Sequence, residues 1–187
     1  MKLQFRAFLD KHKKTLKIFG LILAIGLSIS IFFLREQLAL LKGYGYLGIF
    51  MISVLGNATI IIPVPVVLTA YLGGGIFNPV LVGTIAAFGA TIGELTGYMA
   101  GVGGRSIIKN PKIFLKVERW MKQYGLLTIF ILAAIPNPFF DLAGIASGMM
   151  KISVKEYFLT TWAGKIVKFI FFAFLGSGSF ELFGSLV

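Results

Sequence analysis

Of the seven acidic residues in this 187-residue chain, two lie deep inside apolar stretches. Glu94 sits in Gly93-Glu94-Leu95-Thr96-Gly97-Tyr98, and Asp141 follows Pro136-Asn137-Pro138. Two lysines, Lys165 and Lys168, stand about one helical turn apart inside the last apolar run. A charge among apolar residues is costly unless an opposite charge answers it. Glu94 and Asp141 are the deep acids available to the lysines, so the four are expected to form one buried polar network. Such groups can bind a proton or meet a lipid headgroup. Tyr98, four residues beyond Glu94, shares its helical face. Asp141 has a second use open to it, as the cap of a half-helix that begins after the prolines.

Several chemistries are excluded. The chain has no cysteine, which removes disulfides, thiolate metal sites and cysteine nucleophiles. Its single histidine, His12, lies in a basic N-terminal tail, so a histidine zinc site or a catalytic dyad is not expected. Ser147-Gly148 suggests a nucleophile, but the Gly-x-Ser-Gly pattern fails at Ile145. No G-x-x-x-x-G-K-[ST] phosphate loop is present. An enzyme is not expected, and no catalytic residue, metal or cofactor is assigned.

The elements that must hold these charges are lipid-facing. Hydrophobic residues make up 57% of the chain, and the mean hydropathy is +0.91. A soluble domain of this length cannot hide so much apolar surface in one core. The net charge of +11 is confined to short segments between apolar stretches. That suits the positive-inside rule and anionic headgroups, not a nucleic-acid interface. Residues 1–17 carry six Lys/Arg and one Asp, with Phe5, Phe8, Leu9 and Leu16 on one helical face. They read either as a basic amphipathic helix on the cytoplasmic surface or as a disordered tail. Ile18–Leu34 has no small-residue cleavage site before Arg35-Glu36-Gln37 and reads as an uncleaved first transmembrane helix.

Four more apolar segments follow: Tyr46–Leu72, Val80–Gly103, Leu126–Met150 and Val154–Leu175. Counted from Ile18–Leu34, the second segment contains Pro63-Val64-Pro65 and the fourth Pro136-Asn137-Pro138. Paired prolines remove backbone donors and bar the residues before them from helix. Each of these segments should therefore be two half-helices meeting at a bend, with Asn57, Thr59 and Asn137 satisfying freed backbone groups. They also resemble each other. Tyr44-Gly45-Tyr46-Leu47-Gly48-Ile49-Phe50 parallels Tyr124-Gly125-Leu126-Leu127-Thr128-Ile129-Phe130, and both copies end in small residues. The repeat is about eighty residues long, with the Pro-x-Pro seven residues later in the first copy.

Charge tests the topology. With a cytoplasmic N-terminus, Arg35, Glu36 and Lys42 lie outside. A fully crossing second segment would then place Arg105, Lys109, Lys112, Lys116, Glu118, Arg119 and Lys122 outside as well, against the positive-inside rule. A re-entrant second segment keeps that cluster inside. The fourth segment, its counterpart, then enters from the cytoplasm, and the repeats are inverted, as in many transporters. Asn110-Pro111 reads as a helix start. Ile113, Phe114, Val117, Trp120, Met121 and Tyr124 form an apolar stripe opposite Lys112, Lys116, Arg119 and Lys122. This is expected to be an interfacial helix, with a loop helix packed on the bundle as the alternative. Gly89, Gly93, Gly97 and Gly101 make one helix face flat, for packing within the monomer or between protomers of a homo-oligomer.

The stretch Ile135-Pro136-Asn137-Pro138-Phe139-Phe140-Asp141-Leu142-Ala143-Gly144-Ile145-Ala146-Ser147-Gly148 resembles the signature of the SNARE-associated Golgi protein family, also called the VTT or DedA family. The likeness is to the branch holding the eukaryotic vacuole membrane protein, and Trp162-Ala163-Gly164-Lys165 resembles that branch too. Gly93-Glu94-Leu95-Thr96-Gly97-Tyr98-Met99-Ala100-Gly101 is similar to the family's Gly-Asp/Glu-x-x-Gly-Tyr-x-x-Gly element. The resemblance covers roughly residues 44–175. It implies two facing re-entrant hairpins and lipid movement: eukaryotic members are similar to scramblases, and bacterial DedA members are associated with polyprenyl-phosphate recycling and proton-dependent homeostasis. DedA proteins usually carry arginines around the second hairpin's first proline. Here Leu132, Ala133, Ala134 and Ile135 precede Pro136 and no arginine follows, which favours the scramblase-like branch.

The expected molecule is an all-α integral membrane protein. It has three transmembrane helices, two inverted re-entrant helical hairpins and interfacial amphipathic helices, with a basic segment 1–17 ahead of a single membrane domain, 18–187. Its expected function is phospholipid scrambling between leaflets; the alternative is a proton-coupled carrier of a polyprenyl phosphate or other lipid phosphate. Its partners are membrane phospholipids, and its place is the plasma (inner) membrane if the source is prokaryotic.

Overall fold

The helix that ends at Ala134 stops just ahead of Pro136. The computed structural model describes residues 35–58, 66–103, 111–137 and 139–184. Pro63, Pro65, Pro138, Thr59, the Asn110 cap, segment 1–17 and the run Ile18–Leu34 lie outside the described residues. By contacts the chain divides into Met1–Leu40 and Leu41–Val187, and the packing below concerns the second unit. Seven helices occur among the described residues, with no strand: α1 (Arg35–Ala58), α2 (Val66–Ile76), α3 (Pro79–Val102), α4 (Pro111–Tyr124), α5 (Leu126–Ala134), α6 (Phe140–Met149) and α7 (Val154–Gly184).

Local chemistry fixes their ends. α3 begins with Pro79 behind Asn78, whose Oδ1 accepts from the amides of Val80 (3.0 Å) and Leu81 (3.2 Å). α5 ends because Ile135, the residue before Pro136, takes an extended conformation (φ −104, ψ 136). α3 and the Val154–Ser179 portion of α7 are long and apolar enough to cross a membrane. α5, at nine residues, spans about 14 Å, roughly half of a hydrocarbon core.

The repeat is visible in the backbone. α1 bends at Gly45 (φ 55, ψ −135), and α4 turns into α5 at Gly125 (φ 56, ψ −132). Both conformations belong to glycine, and the two sites stand eighty residues apart. Arg35, Glu36 and Lys42 are helical, in the part of α1 ahead of this bend. Each copy of the repeat has a first half-helix (α1 after Gly45, or α5), a second (α2 or α6), and a long helix after it (α3 or α7); the two half-helices of a copy are called its hairpin below.

Packing exchanges the halves. α3 packs on α6, and α7 on α2 and α5. Small residues permit these crossings. A Cβ at Gly93 would stand 2.5 Å from the Val54 carbonyl oxygen, and one at Gly164 would stand 2.6 Å from that of Phe130. On the other face, Gly101 lies against the Ile145 carbonyl and Gly148 against that of Tyr98, while Gly176 lies against Tyr71 and Gly74 against Ala173. The glycine stripe of α3 therefore packs within the monomer, with Gly89 and Gly93 against α1 and Gly97 and Gly101 against α6.

α4 departs from the interfacial expectation. Phe114, Val117 and Met121 are buried in a cluster with Phe140, Ala143 and Ile145 of α6, so most of the stripe covers the bundle. Tyr124 is exposed at its end. Apolar side chains of the other helices point away from the protein, including Leu47, Met51 and Leu55 on α1, Ile131 on α5, and Val167, Phe171 and Phe174 on α7. This outward surface is the kind that lipid covers.

Candidate functional site

Lys165 is reached from both hairpins. It is 1% exposed on α7, one residue past Gly164, which lies directly against α5. Its Nζ donates to Glu94 Oε1 on α3 at 2.8 Å and to Asn57 Oδ1 in the last turn of α1 at 3.0 Å. Its ammonium also stands 5.0 Å from the centroid of the Phe140 ring, at the first residue of α6. The end of the first half-helix of one hairpin and the start of the second half-helix of the other thus meet at one ammonium.

Each partner is held in turn. Asn57 Nδ2 donates to the Ser53 carbonyl at 3.0 Å, which fixes the amide so that its oxygen faces the lysine. Thr96 Oγ1, two residues beyond Glu94, lies 2.8 Å from the Gly93 carbonyl and 3.3 Å from that of Ala58, closing the end of α1 against α3. Glu94 is buried because Gly93, beside it, brings the α1 backbone against α3. A buried pair of this kind is not by itself a stabilising device: desolvation of both ions can exceed their attraction. What it provides is a cation and an anion held 2.8 Å apart in an apolar surround.

The structure brings two of the four expected network members together. Asp141 is exposed in the first turn of α6. Phe140 takes the inward position there, and the next residue is rotated about 100° away. Asp141 does not cap the helix either: Phe139 is the N-cap residue and makes no side-chain cap bond. Lys168 is half-buried and lies 5.1 Å over the Phe169 ring. Tyr98 is buried but turned elsewhere: its hydroxyl donates to the Ile152 carbonyl at 2.6 Å and its ring stacks on Tyr157 at 5.1 Å. At the second bend, Asn137 donates to the carbonyls of Leu132 and Ile135 (both 2.7 Å) and accepts from the Phe139 amide (2.9 Å), the backbone role expected of it. Pro136 is exposed at that bend. Ser147 donates to Ala143 of its own helix at 2.7 Å.

Asn57 was expected only to satisfy backbone, and its contact with Lys165 is the group that sequence reasoning missed. A signal was there: Ser53 and Asn57 are four apart, as are Tyr157, Thr161 and Lys165, so each set forms a polar line on an apolar helix. Among the described residues no cluster of His, Cys, Asp or Glu could hold a metal.

A family model described as the VTT domain matches residues 62–178. The chain is similar to the uncharacterized membrane protein YbfM of Bacillus subtilis, at 33% identity over 130 residues, or 63% of this chain and 80% of that protein. It is similar to vacuole membrane protein KMS1 of Arabidopsis thaliana, at 41% identity over 56 residues, and to KMS2 of the same plant, at 43% over 56 residues. These plant matches cover 28% of this chain and 14% of each plant protein, so the likeness spans a small part of their length. No solved structure matches it.

Proposed function

The chain belongs to the VTT-domain family of membrane proteins, and from that premise we propose that it equilibrates phospholipids between the leaflets of its membrane without a coupled energy source. The single observation that supports this is the convergence of both hairpins on the buried Lys165–Glu94 pair. A zwitterionic headgroup carries the same two charges as the pair. Its phosphate can replace Glu94 at the ammonium, and its amine can replace Lys165 at the carboxylate. Headgroup and pair can therefore exchange partners with little net change in buried charge, while the acyl chains stay against the outward apolar faces.

This reading includes the full topology. Among the described residues α3 and α7 are spans, and α1 with α2 and α5 with α6 are re-entrant from opposite faces. What supports the hairpins is the length of α5, sufficient for half a bilayer, together with the matched bends at Gly45 and Gly125. The N-terminus is then cytoplasmic and the α4 cations lie on the same side.

The test is headgroup-labelled phospholipid in liposomes holding the purified protein, with an external quencher. Wild type is expected to expose label well beyond the outer-leaflet share with no ion gradient, and Glu94→Gln and Lys165→Met are expected to lose that exposure at equal incorporation. Quenching that stops at the outer-leaflet share in wild type overturns scrambling. Transport of a lipid phosphate that appears only under a pH gradient assigns the proton-coupled carrier instead.

A further inference from the structure

Three buried hydroxyls near the ion pair lack a well-formed hydrogen bond. Ser53 Oγ, Tyr157 Oη and Thr161 Oγ1 are buried, each on a residue with 0% exposure, and none is within hydrogen-bonding geometry of a described protein group. A hydroxyl withdrawn from water with nothing in exchange is destabilising, and native interiors rarely keep several side by side without ordered water. Their positions are not scattered. Tyr157, Thr161 and Lys165 recur every four residues on α7 and so share one face. Ser53 and Asn57 do the same on α1. Both lines end at the pair, on Lys165 and on Asn57. The Tyr157 hydroxyl interacts with that of Thr161, one turn along the line, but not in good hydrogen-bond geometry.

At its far end the α7 line reaches open space. A cavity of about 610 Å³ lies where α6 turns into α7, lined by Tyr98, Gly148, Lys151, Ser153 and neighbours. Ser153, four residues before Tyr157, is exposed there. Tyr98 lines this cavity, and its ring stacks on Tyr157 at 5.1 Å. A water needs two to four polar partners to stay in an interior. The α7 line supplies hydroxyls at one-turn intervals, and the lysine and carboxylate of the pair supply the last ones.

We propose that the Glu94–Lys165 pair is hydrated by a file of water that enters from the cavity at the α6–α7 turn, passes the stacked Tyr98 and Tyr157 rings and runs along Tyr157 and Thr161. The buried charges are thereby in contact with the aqueous phase at one end of the bundle. The file does not depend on lipid being the cargo, because its test reads water and not transport.

The absence of native cysteine gives a clean experiment. Thr161→Cys, Ser153→Cys and Val167→Cys are each made in the full chain, reconstituted in liposomes and exposed to a small cationic methanethiosulfonate, with modification followed by mass spectrometry. Ser153 lines the cavity and Val167 faces outward at 54% exposure. Only a hydrated thiol ionises and reacts, so Thr161→Cys is expected within about tenfold of Ser153→Cys, and Val167→Cys about a hundredfold slower. A Thr161→Cys protein as slow as Val167→Cys overturns the file. Should that variant fold poorly, hydroxyl-radical footprinting of the unaltered protein decides. Oxidation of Tyr157 in the folded state, at 0% exposure, supports the file, and protection of Tyr157 until the protein is denatured overturns it.

Discussion

The two hairpins share a frame and differ in what their asparagines do. Gly45 and Gly125 bend the chain alike, and eighty residues also separate Asn57 from Asn137. Asn57 turns its oxygen to Lys165, whereas Asn137 bonds to three backbone groups of its own bend. The cause lies in the prolines. Counting by the same eighty residues, Pro136 matches Gly56, so α5, the first half-helix of the second copy, is cut at Ala134 and Asn137 falls in the bend. In the first copy the prolines come seven residues later, α1 runs on to Ala58, and Asn57 remains helical and aimed at α7. The long helices show the same division. Gly89 and Gly164, Tyr98 and Ala173, and Gly101 and Gly176 are matched contacts, seventy-five residues apart. By that shift Glu94 matches Phe169 and Lys165 matches Ala90. The pseudo-symmetry belongs to backbone and small residues, and the charged site is laid across it asymmetrically.

The comparison breaks most forcefully at the ion pair. Lys165→Met or Glu94→Leu alone leaves one buried charge uncompensated and is expected to cost about 3–5 kcal/mol, while the combined variant recovers most of it. Thermal unfolding in detergent, read by size-exclusion, checks this. A double variant that folds well but no longer scrambles shows that the pair serves transport and not the frame. A double variant no better than the worse single contradicts the asymmetry, because the pair would then be part of the frame itself.

The glycine crossings come next. Gly101→Val and Gly176→Val each drive a side chain into a carbonyl of the opposite hairpin, Ile145 and Tyr71 respectively. Each is expected to cost about 3 kcal/mol, the upper end for overpacking a core. Equal losses at the two sites uphold the pseudo-symmetry, and a loss at one site alone denies it. Gly178→Ala, with open space around the added methyl, is the control and is expected to change the melting temperature little.

The bends follow. Gly45→Ala and Gly125→Ala place a side chain on a positive-φ backbone of nearly the same geometry. About 1–3 kcal/mol is expected at each. Matched shifts in melting temperature would confirm that the two turns are the same device, since neither glycine has a neighbour within 4 Å of the added carbon to add a clash.

The frame was the legible part. Proline pairs, the Tyr-Gly repeat and four-residue glycine spacing act locally on backbone, and local rules of that kind can be read from one sequence. The Glu94–Lys165 contact was also legible, because few deep charges were available to pair. Asp141 makes no direct bond to the pair, because position next to a bend does not determine which way a first-turn residue faces, and Phe140 takes the inward place. The α4 stripe was visible, but an apolar face fits lipid and protein equally, and only the packed Phe114, Val117 and Met121 distinguish them. Asn57 was read as a structural asparagine because its twin in the repeat is one.

That twin gives the smallest and sharpest test. Asn137→Ala removes three bonds at a partly exposed bend and is expected to cost about 1–2 kcal/mol of stability, with scrambling per folded molecule unchanged. Asn57→Ala leaves Lys165 still bonded to Glu94, so stability should fall by about 1 kcal/mol or less. Its effect should appear in transport, because the ammonium loses the neutral partner that holds it toward the first hairpin. Asn57→Asp sharpens the contrast, since a second carboxylate would hold Lys165 more tightly and compete with an incoming phosphate. Scrambling slowed by Asn57→Ala and slowed further by Asn57→Asp, with Asn137→Ala neutral, separates a residue of the site from a residue of the fold at two matched positions. The same transport loss from both alanine variants would mean that the bends act as a pair, and that the asymmetry lies in the side chains and not in the mechanism.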